Sequence, residues 1–237
     1  VPDSQWGEGL PYKGPGSSNF TIADPETDSD GYWFHSKFEG SEDNWVGRGS
    51  ASVSTSGRTY YEGKEALLVQ DREASWNGAA MPLNSRIFKP GEEYSFSVNA
   101  CYLDGDLDSQ EFKLTLQYND ADNEPHYDQI ALASAPKGEW VQLANTNFKI
   151  PSGATDVQIY VETTTEDVFT NFYIDDAIGA PAGTVVPGAG QPHIRTVILG
   201  DVNFDECIDS MDMVAARRGL LKGGFDDSMT QKAADVD

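Results

Sequence analysis

Between about residues 30 and 180, short runs of β-branched and aromatic residues are separated by Gly, Asn, Asp and Pro. No helical period interrupts this part of the chain. Regularly spaced runs of this kind predict an all-β domain, built as a sandwich or a jelly roll. The clearest runs are Glu65 to Gln70, Tyr94 to Cys101, Glu111 to Tyr118, Trp140 to Leu143, Asp156 to Glu162 and Asn171 to Ile178.

Alternation within these runs predicts which side chains face the core, because successive side chains of a strand point to opposite faces. From residue 126 to 132, Ile130 and Leu132 are predicted to face inward. The predicted outward set is Gln117, Tyr127, Gln129, Gln158, Tyr160 and Glu162. An aromatic ring covers the C–H face of a pyranose while amides and carboxylates bind its hydroxyls. This face is therefore a candidate glycan surface, although single exposed aromatics also occur on surfaces that bind nothing.

Stretches rich in Gly and Pro divide the chain. We expect an N-terminal arm or linker at residues 1–24, the β-domain at 25–186, a second linker at 187–197 and a small separate unit at 198–237. The chain starts at Val1 rather than Met and opens with polar residues, so we expect it to be an excised piece of a longer protein.

The charge balance narrows the class of partner. The formal net charge is −23 at pH 7. Nucleic acid and anionic membranes require a basic face, so both are excluded as partners. Neutral glycans remain as ligands, and the carboxylates can bind calcium.

The run from Asp201 to Asp212 has the spacing of a calcium-binding loop. Oxygen-bearing side chains stand at loop positions 1, 3, 5, 9 and 12, and position 7 supplies a backbone carbonyl. The predicted calcium ligands are Asp201, Asn203, Asp205, Cys207, Asp209 and Asp212. Glu206 departs from the pattern, because the sharp turn at position 6 prefers Gly. A solvated acidic turn is the alternative interpretation.

The same run resembles the first segment of a dockerin: Gly200 to Asp205, Asp at loop position 12, and then a helix with paired basic residues. The stretch from Ala234 to Asp237 echoes Gly200 to Asn203, so we expect a second repeat that is cut short. The resemblance implies calcium-dependent docking to a cohesin module of a cellulosomal scaffold. The positions it implies for cohesin contact are Ser210, Met211, Arg217 and Arg218, which are otherwise ordinary surface residues of a short helix.

The β-domain resembles a family 22 carbohydrate-binding module. The segments that carry the resemblance are Gly31 to His35, Phe38 to Gly40, Val46 to Gly49, Gly57 to Thr59, Ala74 to Ala79, Leu116 to Tyr118, Tyr127-Asp128, Ile150 to Ser152, Tyr160 to Thr163 and Asn171 to Asp175. The resemblance implies a β-jelly-roll whose cleft binds xylan and, more weakly, mixed-linkage β-1,3-1,4-glucan. It also implies a secreted, cellulosome-associated monomer that targets an attached enzyme to the plant cell wall.

The family also implies individual site residues. Trp76 and Tyr127 are expected to stack on sugar, Tyr160 to form a flanking wall, and Arg48 and Glu162 to bind hydroxyls. Gln117 and Gln158 are added to this set from strand alternation. A structural calcium is expected at Glu39 and Asp175, for which a surface carboxylate pair without metal is the alternative.

A small jelly-roll glycoside hydrolase, such as a xylanase, is the rival function. Retaining hydrolysis needs two carboxylates about 5 Å apart. Glu162 could be the first, but alternation turns the nearby Asp128 inward and predicts no second carboxylate on that face. The sequence therefore favours a non-catalytic binding module, and a structural β-spacer remains as a third possibility.

Overall fold

The computed structural model describes residues 24–190, Gly200, Val202, Ile208 and 210–222. The chain divides into two compact units, Val1–Gly190 and Gln191–Asp237. The strands of the first unit are β1 Phe34–Ser36, β2 Val46–Arg48, β3 Ser52–Ser56, β4 Ala66–Gln70, β5 Gly78–Pro82, β6 Glu93–Cys101, β7 Ser109–Asn119, β8 Pro125–Pro136, β9 Trp140–Lys149, β10 Thr155–Thr163 and β11 Phe172–Pro181. The second unit contains helix α1, Ser210–Lys222.

The strands form two antiparallel sheets. One sheet has the order β3-β4-β11-β6-β9, with β1 also paired to β11, and the other has the order β2-β5-β10-β7-β8. Neighbours in each sheet are mostly distant in sequence, so the chain crosses repeatedly from one sheet to the other. This architecture confirms the predicted all-β sandwich.

Apolar side chains from the inner faces of both sheets make up the core. Phe96 and Val98 of β6 are fully buried, as are Leu114 and Leu116 of β7 and Ile159 of β10. Alternating residues of long strands supply these side chains, as expected where two sheets pack face to face. The burial leaves the opposite face of the β2-β5-β10-β7-β8 sheet available for polar and aromatic residues.

A β-bulge in β8 changes the predicted alternation. Leu114 of β7 pairs with Ala131 and Thr115 pairs with Gln129, so Ile130 is an extra residue in β8. Ile130 and Ala131 both enter the core, and Leu132 lies on the outer face with 44% of its surface exposed. The prediction that Leu132 faces inward is therefore wrong, because a bulge shifts the period by one residue.

Residues that follow β11 remain attached to the sheets. The carbonyl of Thr184 accepts a hydrogen bond from Ser95 Oγ at 2.7 Å, and the carbonyl of Val186 accepts one from Gln142 Nε2 at 2.9 Å. The amide of Ala189 donates to Asn99 Oδ1 at 2.8 Å. Val186 is also buried against Ile178 and Ala180, so this segment packs as part of the first unit.

In the second unit, α1 begins at Ser210 and carries a buried Asp212 near its N-terminus. The amide of Val202 donates a hydrogen bond to Asp212 Oδ1 at 2.7 Å. Among the described residues, no helix is long and apolar enough to cross a membrane.

Candidate functional site

Seven predicted residues lie together on or beside the outer face of the β2-β5-β10-β7-β8 sheet, and we call them the cleft set. Cross-strand register places Gln117 of β7 between Gln158 of β10 and Tyr127 of β8. Tyr160 lies one pleat further along β10, opposite Thr115. The cleft set consists of Arg48, Trp76, Gln117, Tyr127, Gln158, Tyr160 and Glu162.

Arg48 is the centre of this set. Its Nη1 donates to the carbonyl of Trp76 at 2.8 Å, and its Nε and Nη2 donate to Gln117 Oε1 at 3.2 and 3.1 Å. Its Cζ lies 3.9 Å from the ring centroid of Tyr160, 5.0 Å from that of Trp76 and 5.6 Å from that of Tyr127. These contacts combine hydrogen bonding with cation–π attraction, so the guanidinium is held in one orientation.

The two predicted stacking residues are the exposed aromatics of the set. Trp76 has 49% and Tyr127 has 52% of its surface exposed. Trp76 in the loop before β5 and Tyr127 in β8 both lie next to the guanidinium of Arg48, so an ordered cation adjoins two exposed aromatic rings. Such an arrangement offers C–H surfaces to a sugar ring and hydrogen-bond donors to its hydroxyls.

Tyr160 has a different position from the wall that the family resemblance implies. Only 2% of its surface is exposed, and its ring lies beneath the guanidinium of Arg48. Burial, followed by the nearby charge of Glu162, raises the pKa of its phenol above the ordinary value. Tyr160 therefore supports Arg48 from below as a neutral ring and presents little surface of its own.

Glu162 is also largely enclosed, with 4% of its surface exposed. Its Oε1 accepts a hydrogen bond from Thr115 Oγ1 at 2.8 Å and lies 2.8 Å from Lys113 Nζ. A buried carboxylate needs such partners to remain charged. Lys113 and Thr115 lie on the same face of β7 as Gln117, and their contacts with Glu162 could not be read from the sequence.

A hydrogen-bonded loop fixes the position of Trp76. The Arg72 guanidinium is buried and donates to the carbonyls of Ser75, Asn77 and Thr170, each at 2.7 Å. Burial lowers its pKa to about 10, so it remains charged at neutral pH. The sequence indicated no role for Arg72, although Arg72 lies in the same loop as Trp76, which was predicted to stack on sugar.

A side chain on the neighbouring turn would displace Trp76. Gly49 has a φ of 70°, and a Cβ there would lie 2.6 Å from the indole ring and 2.1 Å from Asn77 Nδ2. Asn77 Oδ1 in turn accepts hydrogen bonds from the amides of Glu73 and Ala74 at 2.9 and 3.1 Å. The loop and the turn together hold the indole against the backbone before any ligand arrives.

The predicted calcium pair belongs to the other sheet, where Asp175 lies in the central strand β11 and Glu39 follows β1. Glu39 Oε1 accepts hydrogen bonds from the amides of Lys64 and Glu65 at 2.7 and 3.1 Å. Asp175 is buried, and its two carboxylate oxygens accept three hydrogen bonds, from the amides of Tyr61, Glu62 and Asp176. Both carboxylates therefore bind the same segment of chain.

Burial and the neighbouring carboxylates both disfavour the charged form of Asp175. The pKa of Asp175 is raised to about 7, chiefly by burial and further by the charges of Asp176 and Glu39, while the backbone amides oppose the shift. Three hydrogen bonds leave one of its roughly four lone-pair directions for another partner. Ca²⁺ is a hard cation that takes oxygen ligands, so this donor set fits it.

Of the predicted dockerin residues, the structure describes only some. Asp201, Asn203, Asp205, Cys207 and Asp209 lie outside the described residues, as does the side chain of Met211. Ser210, Arg217 and Arg218 are exposed on α1, and the bond between Val202 and Asp212 joins the second and last positions of the predicted calcium loop. Four apolar residues of α1 that the sequence argument did not name are also exposed: Met213, Val214, Leu220 and Leu221.

Comparison with known protein families places both units. A model described as "Carbohydrate binding domain" matches residues 30–167, and one described as "Dockerin type I domain" matches residues 199–237. Endo-1,4-beta-xylanase Y of Acetivibrio thermocellus is 44% identical over 223 residues, which are 94% of this chain and 20% of that protein. A xylanase/beta-glucanase of Ruminococcus flavefaciens is 40% identical over 232 residues, covering 86% of this chain and 28% of that protein. The chain thus spans less than a third of either relative.

Two solved structures match the β-domain over their whole length. The C-terminal family 22 carbohydrate-binding module of Clostridium thermocellum Xyn10B is 48% identical with a TM-score of 0.66, over 68% of this chain and all of that one. A xylan-binding domain of carbohydrate-binding family 22 is 49% identical with a TM-score of 0.64, over 67% of this chain and 99% of that one. These matches confirm the predicted jelly-roll and the prediction of a binding module rather than a hydrolase. The chain belongs to the family 22 carbohydrate-binding modules, and a type I dockerin domain follows the module.

Proposed function

We propose that the cleft set binds xylan and that the chain targets an attached enzyme to this polysaccharide. The observation that supports the proposal most strongly is the ordered guanidinium of Arg48 next to the exposed rings of Trp76 and Tyr127. One solved relative is a xylan-binding domain, which points to the same class of ligand.

The geometry suits moderate affinity. If each exposed ring buries about 100 Å² of apolar surface against a sugar, the transfer term is roughly 2.5 kcal/mol per ring. Two such contacts and the hydrogen bonds from Arg48 and Gln117 are opposed by the cost of ordering the chain of sugars. We therefore expect dissociation constants in the micromolar range.

Mixed-linkage β-1,3-1,4-glucan is a second candidate ligand. A relative that is 40% identical over most of this chain is named a xylanase/beta-glucanase. Exposed rings can stack on the xylose units of xylan or on the glucose units of the mixed-linkage glucan, since both sugars present C–H faces. Glucose carries an additional hydroxymethyl group, so the shape of the cleft beside Trp76 and Tyr127 decides how well it fits.

The dockerin supports a second binding function, calcium-dependent docking to a cohesin module. The proposed calcium ligands are Asp201, Asn203, Asp205, Cys207, Asp209 and Asp212, and the proposed cohesin contacts are Ser210, Met211, Arg217 and Arg218. Calcium would hold the loop closed at the start of α1, since metal binding and folding are coupled in loops of this kind. The hydrogen bond from Val202 to Asp212 supports a closed loop.

A structural calcium at Glu39 and Asp175 is part of the same proposal. The sequence places the domain limits at about 25–186 for the module and 198–237 for the dockerin, and the hydrogen bond from Ala189 to Asn99 extends the module a few residues further. We infer a secreted, cellulosome-associated monomer that places an enzyme on the plant cell wall. The relatives are xylanases of which this chain spans less than a third, so the enzyme activity is expected elsewhere in the full protein.

Isothermal titration of the chain with xylohexaose tests the xylan proposal. Micromolar binding should be lost in Trp76→Ala, because that substitution removes one exposed ring. Tyr60→Ala is the matched control, since Tyr60 is equally exposed but lies outside the cleft set. Absence of heat with both xylohexaose and a mixed-linkage glucan oligosaccharide would favour a structural spacer, and release of reducing sugar would indicate a hydrolase.

A further inference from the structure

A cavity of about 640 Å³ lies at one end of the cleft face. Its polar lining includes Ser85, Asn119 and Asp156, and it shares Gln117 and Gln158 with the cleft set. The volume falls within the roughly 300–1,000 Å³ of ligand-binding pockets in proteins. We call this space the end cavity.

The strand register makes the end cavity continuous with the cleft. Pro82 of β5, Gln158 of β10, Gln117 of β7 and Tyr127 of β8 are paired in one row across the sheet. Asn119 follows Gln117 by two residues on the same face of β7, a displacement of roughly 7 Å along the strand. That length corresponds to about one further pyranose unit of a chain that lies on Tyr127.

The walls of the end cavity are held in place without a ligand. The amide of Leu83 donates to the carbonyl of Val157 at 2.9 Å, which fixes the start of the loop after β5. Tyr94 Oη accepts a hydrogen bond from the amide of Lys89 at 2.9 Å and donates one to the carbonyl of Ile87 at 2.6 Å. These bonds fix the end of the same loop. Phe88 from this loop is buried and forms part of the floor.

The opposite wall comes from a bulge in β10. The register shifts between Thr155 and Gln158, and Asp156 takes a φ of 50° there. Asn119 Nδ2 donates to Asp156 Oδ2 at 3.2 Å, so the amide and the carboxylate face the same space. A bulge is a frequent means of redirecting a side chain next to a binding site.

The chemistry of the lining selects a neutral, hydroxyl-rich ligand. Among the described residues that line the end cavity, Asp156 is the one with an ionisable side chain. Its carboxylate accepts hydrogen bonds from hydroxyls and repels anions, and the amides of Gln117, Gln158 and Asn119 can both donate and accept. Pro82 and Phe88 add apolar surface suited to C–H groups.

We propose that the end cavity is an additional subsite for a neutral pyranose unit of the glycan chain that lies on the cleft set. The proposal rests on the proposed glycan-binding function and extends it by one sugar unit beyond Gln117 and Gln158. It makes affinity depend on chain length, because a short oligosaccharide fills the rings of Trp76 and Tyr127 without reaching Asp156.

Titration of the chain with xylotetraose, xylopentaose and xylohexaose tests the proposal. Xylohexaose should bind roughly fivefold or more tightly than xylotetraose, since the additional sugar gains at least one net hydrogen bond. In Ser85→Trp, the indole should fill the end cavity and remove this gain while the affinity for xylotetraose stays unchanged. Ser85→Ala is the size control and should keep the gain. Ser85→Tyr provides a second filling variant if Ser85→Trp does not fold.

Equal affinities for the three oligosaccharides in the parent chain would overturn the subsite. So would a folded Ser85→Trp variant that retains the full gain with xylohexaose. Failure of all three to bind would refute the glycan-binding function itself, which distinguishes that result from the loss of the subsite alone.

Discussion

Arg48 shows how a single residue organises the cleft. Its guanidinium donates to Gln117 and to the carbonyl of Trp76 while it lies on the ring of Tyr160. The planar fork of Arg can make these contacts at the same time, and the ammonium group of Lys cannot. Arg48 thus joins the backbone of Trp76 to β7 and β10.

Arg48→Lys should therefore weaken xylohexaose binding about tenfold or more, although it keeps the charge. Two hydrogen bonds to Gln117 and the stacking on Tyr160 are lost together. Isothermal titration measures the effect, and circular dichroism checks the fold. Arg58→Lys is the matched control, because Arg58 is exposed and pairs with Asp104 outside the cleft set. Unchanged affinity in Arg48→Lys would mean that the guanidinium plane has no part in binding.

At the residue scale, the sequence predicted which side chains lie on the cleft face better than it predicted the contacts of each one. Trp76 and Tyr127 are exposed as expected from alternation and family resemblance. Tyr160 and Glu162 lie on the predicted face but are almost fully buried, because Arg48 and Lys113 cover them. Such covering depends on long side chains from other strands, and alternation within one strand carries no information about them.

At the element scale, the success of the prediction depended on whether each strand kept its period. In β7, residues Phe112, Leu114 and Leu116 all enter the core as alternation predicts. In β8, the extra residue Ile130 reverses the pattern, and Leu132 faces outward. A bulge is set by pairing with neighbouring strands, so it could not be read from the run of residues itself.

The two leucines give a direct test of this difference. Leu132→Ala should change the free energy of unfolding by less than about 0.5 kcal/mol, since the side chain is half exposed. Leu116→Ala should cost about 2–5 kcal/mol, because it leaves a cavity in a packed core. Urea unfolding measures both variants. A large loss of stability in Leu132→Ala would show that Leu132 belongs to the core and that the bulge is misplaced.

The segment from Tyr61 to Glu65, whose amides bind both Asp175 and Glu39, is the element on which calcium should act. Both carboxylates accept hydrogen bonds from this segment, and the pKa of Asp175 is raised chiefly by burial and further by repulsion from Asp176 and Glu39. A divalent cation would relieve that repulsion and stabilise the folded form by mass action. Chelation should therefore lower the melting temperature of the module by about 5–10 °C at calcium concentrations near 100 times the dissociation constant.

Tryptophan fluorescence separates this effect from the dockerin, because all five tryptophans precede residue 190. Glu39→Gln should abolish the difference between calcium and chelator, since it removes one charged ligand. Glu139→Gln is the control, an exposed carboxylate that should leave the difference intact. A melting temperature that is the same with calcium and with chelator in the parent chain would argue for a carboxylate pair without metal.

At the scale of the whole molecule, the net charge of −23 bears on the ligand class. An acidic protein repels anionic polymers, and its association with a neutral glycan releases no counterions. The cleft set contains one positively charged side chain, Arg48, which already donates hydrogen bonds to Gln117 and to the carbonyl of Trp76. Binding of xylohexaose should therefore be governed by stacking and hydrogen bonds rather than by charge.

The salt dependence of binding tests this argument. The dissociation constant for xylohexaose should change less than twofold between about 0.05 and 0.5 M NaCl, because no phosphate or carboxylate contact is screened. Polygalacturonate, an anionic polysaccharide, should not bind over the same range and serves as the matched ligand control. A steep loss of xylohexaose affinity with salt, or tight binding of polygalacturonate at low salt, would mean that Arg48 acts as an anion receptor and that the ligand carries charge.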